Sequence, residues 1–243
     1  MPRSFVILFA FMGLLIGLAA FMPARVAFDL LARPAGVQAE LVHGPVWDAR
    51  LFGVTVSGQR IEQVDARLSA TRLLTGRAVV ELAARDRDLR LDGVLVLRPG
   101  FIEAHSVRGA ISLQRLPGAQ NLPSASGESL ILDIDRIGFE LRDGCVQADG
   151  VLRSAALLPV GLRYEVELPV LEGALYCAGA RLGVDVTGAS DAAELTGQAL
   201  LGRSRFEWRA GVERAQPGLA PVLIALGFAD NGGSWSAQGE GTY

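Results

Sequence analysis

From about residue 50 onward, apolar and polar positions alternate with a period of two in one short run after another. Arg50 to Ser57 is the first such run. In the next, Ile61 to Leu68, Val64, Ala66 and Leu68 share one face and Asp65 and Arg67 the other. The pattern returns at Leu89–Leu97, Ala104–Leu113, Leu130–Ile134, Arg163–Leu168, Leu182–Val186, Arg205–Val212 and Ser234–Tyr243. Gly, Pro, Asp or Asn bounds each run, so each reads as a strand with one dry and one wet face. Such strands predict a curved antiparallel sheet or a sandwich. Leu219 to Phe228 is apolar without strict alternation and predicts one short late helix, stopped by the turn signal Asp230-Asn231-Gly232-Gly233. Leu116 to Gly127 reads as a long loop or a sub-boundary.

The other break in the alternation is at the start. Phe5 to Met22 holds 18 apolar or glycine residues and no charge. As a helix this run covers roughly 27 Å, close to the hydrocarbon thickness of a bilayer. It is longer than the core of a cleaved signal peptide, although Gly17-Leu18-Ala19 offers a small-residue cleavage site. The expectation is therefore mainly β, with residues 1–23 a cytoplasmic tip and membrane anchor and residues 24–243 a periplasmic β-rich domain. An amphipathic stretch from Val26 to Leu31 is expected to continue the helix and end before Pro34.

Composition narrows the function. The net charge of −3 gives no basic field, so nucleic acid is not an expected partner. All 23 basic residues are Arg, scattered along the chain, which reads as genomic composition rather than a phosphate site. Outside the cytoplasm, an even cysteine count makes a disulfide the default. Cys145 and Cys177 lie in strand-like sequence, too far apart for a redox pair. Closing their loop stabilises the fold by roughly 3–4 kcal/mol in the chain-entropy model.

Candidates for chemistry are few. His43 and His105 have no second ligand at metal-binding spacing. There is no Gly-x-Ser-x-Gly elbow and no Walker loop. Asp133 and Asp135 share a strand face and read as its wet side. No enzyme activity, cofactor or metal is expected. Trp47, after the turn-like run His43-Gly44-Pro45-Val46, is either a core or edge tryptophan closing the first hairpin or, with Gly44, part of a recognition surface near the membrane.

Several of these segments together resemble the type II secretion system protein N family. They are Leu41-Val42-His43-Gly44-Pro45-Val46-Trp47, Ala66-Arg67-Leu68 with Leu73-Leu74-Thr75-Gly76, the two spaced cysteines, and Gly233-Ser234-Trp235 closing on Gly241-Thr242-Tyr243. Pro45 stands where that family tends to have Thr. The resemblance implies a non-enzymatic inner-membrane component of a secretion machine, acting through protein contacts with other secretion components. An alternative reading is a periplasmic β-groove that binds lipid or another hydrophobic ligand, with Val94–Leu97 and Leu219–Phe228 lining it.

Overall fold

The structure is a computed structural model that describes residues 17, 21–56, 58–73, 75–115 and 128–242. It divides into two compact units, residues 1–86 and 87–243. The expected anchor lies outside the described residues except at positions 17, 21 and 22, and the expected loop over 116–127 lies wholly outside them. Among the described residues no helix is long and apolar enough to cross a membrane.

The first unit begins with a helical run. Helix α1 (Ala24–Ala27) passes into a wider π-helical stretch, Phe28–Ala32, and a tight turn, Arg33–Ala35. The run thus takes in Pro34 rather than stopping before it. Proline has no N–H to donate, but near the start of a fresh 3-10 turn none is required. Gly36 ends the run in the left-handed conformation at φ 84°. Strands β1 (Leu41–His43), β2 (Ala49–Val56), β3 (Gln59–Leu68) and β4 (Ala78–Asp86) then pair antiparallel in sequence order. Helix α2 (Ala70–Leu73) links the last two. Ala24 and Phe28, one helical turn apart, pack with Ala49, Leu51 and Val54 to form the core of this unit.

The second unit contains β5 (Leu89–Arg98), β6 (Phe101–Ser112), β7 (Ser129–Glu140), β8 (Gly144–Ser154) and β9 (Leu171–Ala178). It continues with β10 (Arg181–Ala189), β11 (Glu194–Leu201), β12 (Arg205–Glu213), β13 (Ala229–Asp230) and β14 (Ser234–Thr242). Each strand pairs antiparallel with its neighbour in sequence, except that β14 lies between β12 and β13. The sheet is open; it is not a sandwich.

Its register sorts the residues into two faces. Leu91, Gly109, Leu132, Leu152, Gly173, Val186, Gly197, Ala210 and Ala237 form one cross-strand row. The adjacent row on the opposite face is Asp92, Arg108, Asp133, Val151, Ala174, Asp185, Gln198, Arg209 and Gln238. A one-residue step thus exchanges an apolar row for a largely polar one, which is what fixes the register. Leu132, Ile134, Cys145, Ala148, Leu175 and Val184 make the main core on the apolar face.

A second core caps one end of this sheet. Helix α3 (Leu158–Arg163) and helix α4 (Ala220–Ala225) bring Leu157, Val160, Leu219 and Leu223 onto Leu195, Val212 and Trp235. The late helix falls within the apolar run expected to form it. The strand expected over Arg163–Leu168 is absent: α3 occupies its start, Glu165 turns with φ 55°, and Val166 N–H bonds back to Gly161 O at 2.9 Å. Val166 and Leu168 do point the same way, but into the helical cap, with no ladder partner. Pro159 near the helix start is the local signal for helix.

Candidate functional site

The turn carrying Gly44 and Trp47 sits between β1 and β2. Gly44 has φ +89°, and a Cβ there would lie 2.4 Å from the Asp48 carbonyl oxygen, so this position requires glycine. The turn is tied to the last residue of the apolar run and to the residues just after it. Val46 N–H donates to Met22 O and Ala24 N–H to Gly44 O, each at 3.0 Å, and Pro23 bridges Pro45. Asp48 leaves the turn to accept from Arg67 Nε at 3.2 Å. Trp47 is half-buried. Both candidate residues therefore stand beside the point where the chain emerges from its leader.

Cys145 and Cys177 are joined by a disulfide, with Cα atoms 5.6 Å apart. Strands β8 and β9 pair over Val151–Ser154 and Leu171–Ala174. Beyond that ladder, Cys145 N–H reaches Ala180 O at 3.0 Å, and the disulfide closes the same end inside the main core. Gly144, at φ +80°, permits the approach: a Cβ there would meet Ala180 O at 2.4 Å.

A third cluster emerges only once the strands are paired. Glu103 on β6 is only 6% exposed, yet ionisable. Its carboxylate accepts from Arg98 on β5 at 3.4 Å, and it lies 3.2 Å from His105 on β6 and 3.3 Å from Arg136 on β7. A buried carboxylate needs such partners to remain tolerable. The sequence signal is the spacing of Glu103 and His105, which places both on one strand face. The group ties β5, β6 and β7 together.

The polar face continues this pattern of cross-strand pairs. Arg108 pairs with Asp133 at 3.1 Å and Arg153 with Glu172 at 3.0 Å. Gln198 donates to Tyr176 Oη at 2.6 Å and to Asp185 at 2.9 Å, and itself accepts from Arg209 at 2.6 Å. Desolvation and the Asp185 charge push the Tyr176 phenol above its ordinary range. Among the described residues, no three His, Cys, Asp or Glu side chains come together as a metal-holding group. Of the apolar run suggested for a lipid groove, Leu219, Val222 and Leu223 are buried, and Leu219 and Leu223 pack within the helical cap.

These features define a class: a protein with an apolar leader whose body is a succession of antiparallel hairpins, stapled by one disulfide and with its charges paired across strands. The family is shown by a direct match. The model for the type II secretion system (T2SS), protein N, covers residues 35–237, and the chain belongs to that family. The match takes in Gly44, Trp47, Cys145 and Cys177. No curated protein and no solved structure matches the chain.

Proposed function

We propose that this protein is a non-enzymatic, inner-membrane-anchored component of the type II secretion machinery that contributes to export of folded proteins through contacts with other secretion components. The family match over residues 35–237 carries the reading. Three features support it. The apolar leader Phe5–Met22 has the length of a single span, with residues 24–243 then on the periplasmic side. The disulfide suits an oxidising compartment. Anchoring confines the body to one membrane face and raises its effective concentration near other tethered components. In this arrangement the turn at Gly44–Trp47, bonded to Met22 and Ala24, lies close to the membrane and is the candidate contact.

The test is crosslinking in intact cells, followed by membrane solubilisation and identification of the captured proteins. Recovery of inner-membrane and secretin components of a type II system is expected, together with loss of exported enzymes from the medium on deletion of the gene. Unchanged export, or capture of lipid-handling envelope proteins alone, would overturn the assignment.

A further inference from the structure

We infer that the outer edge of β14 accepts an extended strand from another protein, one that alternates aliphatic residues with a basic residue. The inference extends the contact role proposed above but stands on the geometry of this edge.

Strand β14 pairs with β12 along its whole length, Ser234–Thr242. On its other side β13 covers Trp235 and Ser236 only. Asn231 N–H donates to Ser234 O at 2.8 Å, so the backbone groups of Ser234 face the β13 side. Direction alternates along a strand, which turns the N–H and C=O of Ser236, Gln238, Glu240 and Thr242 the same way. From Gln238 onward, no strand among the described residues meets them. Natural edges are usually blunted by proline, lysine, a bulge or shortness. The open part, Gln238–Thr242, has no proline or lysine and keeps an unbroken register with β12.

The side chains specify what fits. On the apolar face β14 offers Gly239 and Gly241, and rings from β12 lie over both. A Cβ at Gly239 would meet Trp208 Nε1 at 2.7 Å, and one at Gly241 would meet Phe206 Cζ at 2.5 Å. Trp208 remains 39% exposed. An added strand would set its inward side chains beside these glycines and against the rings, a favourable aromatic–aliphatic pairing. On the polar face Arg181 holds Glu207 at 3.0 Å, and Glu240 stands directly opposite Glu207. Glu207 is already paired with Arg181, so Glu240 is the carboxylate at the open edge, and a cation on the next strand out would stand beside it. A second copy fits poorly: pairing two β14 edges antiparallel brings the acidic residues of both chains together and sets glycine-rich faces side by side. Strand addition supplies affinity through the backbone and selectivity through the alternate side chains.

The probe is a fluorescein-labelled peptide, Thr-Val-Arg-Val-Thr-Val-Arg-Val, and its twin with Glu for Arg, titrated by anisotropy into the full chain in detergent micelles. Expected are binding of the Arg peptide, at least tenfold weaker binding of the twin, and slowed amide exchange at Gln238, Glu240 and Thr242. Glu240→Pro removes an edge donor that β12 does not use, so it abolishes binding with the melting temperature preserved. Should that variant fold poorly, Glu240→Arg is read instead, and it reverses the preference between the two peptides. Absence of binding, equal affinity for both peptides, or unchanged binding by both variants overturns the inference. So does a dimer in sedimentation that Glu240→Pro dissolves, which would make the occupant a second copy. None of these readouts involves secretion, so the edge and the secretion role fail separately.

Discussion

Strands β7 and β14 are both long and both amphipathic by register, yet they obtain their dry face in different ways. β7 is paired on both sides, to β6 and β8, and carries its own apolar residues: Leu132 and Ile134 are buried in the main core. β14 is paired along its full length on one side only and has Gly239 and Gly241 at inward positions. Its cover comes from β12, whose Trp208 and Phe206 lie across the glycines. An interior strand must be complete in itself because neighbours occupy both flanks. An edge strand with borrowed cover leaves room beside it, and room beside a strand edge is a place for a partner.

The comparison breaks first, and hardest, at the centre. Replacing Cys145 with Ser, or reducing the bond, removes a staple that closes a sequence separation of 32 residues. The loss is about 3–4 kcal/mol in the chain-entropy model. It is read as a large drop in melting temperature with reductant, and an unchanged melt would mean that the ladder of β8 and β9 suffices alone. Ile134→Ala comes next. It leaves a cavity in the same core and costs about 3 kcal/mol by denaturant unfolding, with the slope of the transition unchanged. The equivalent truncation has no counterpart on β14, where the inward positions beyond Ala237 are already glycine.

Glu103→Ala tests how much the polar face of the central strands contributes beside the apolar one. It strips a buried carboxylate from between Arg98, His105 and Arg136. Removing one member of a buried charged group costs several kcal/mol. The two arginines here are 40% and 46% exposed, and water compensates part of the loss, so about 2 kcal/mol is expected. Glu103→Gln, which keeps the hydrogen-bonding shape, recovers part of it. Equal stability of both variants would show that water already serves these arginines.

The alternation makes the long strands legible. Arg50–Ser57, Leu89–Leu97 and Arg205–Val212 match β2, β5 and β12 with little error, because each has one wet side. β4 and β11 are not legible. Ala78-Val79-Val80 and Ala83-Ala84 are half-buried on both faces, so no period of two appears, and the alanines suit a helix as well as a strand. Arg163–Leu168 misleads in the opposite sense: Val166 and Leu168 alternate, but they serve the helical cap. Of the site residues, the cysteine pair can be read from compartment and count. The need for glycine at Gly44 cannot, because it depends on the Asp48 carbonyl, which only the folded turn brings close. The partners of Glu103 come from β5, β6 and β7, and cross-strand register is invisible before the strands are paired. The same holds for the rings that cover Gly239 and Gly241.

The smallest expected effect is the one that bears most directly on the edge. If Trp208 lies on Gly239, the two positions are energetically coupled, and a double-mutant cycle measures it. Gly239→Ala alone gains from a strand residue stiffer than glycine but pushes its Cβ against the indole, 2.7 Å away, so the two effects nearly cancel. Trp208→Ala alone loses contact area over the glycine, about 1 kcal/mol given that the ring is 39% exposed. In the Trp208→Ala background the added methyl no longer meets the indole, and Gly239→Ala becomes stabilising by about 0.5–1 kcal/mol. The double variant is therefore more stable, by about that amount, than the sum of the two single effects. A cycle that closes to zero would place the indole elsewhere in solution. The outer half of β14 would then keep only Phe206, over Gly241, as cover, and an incoming strand would lose one of the two rings that select its side chains.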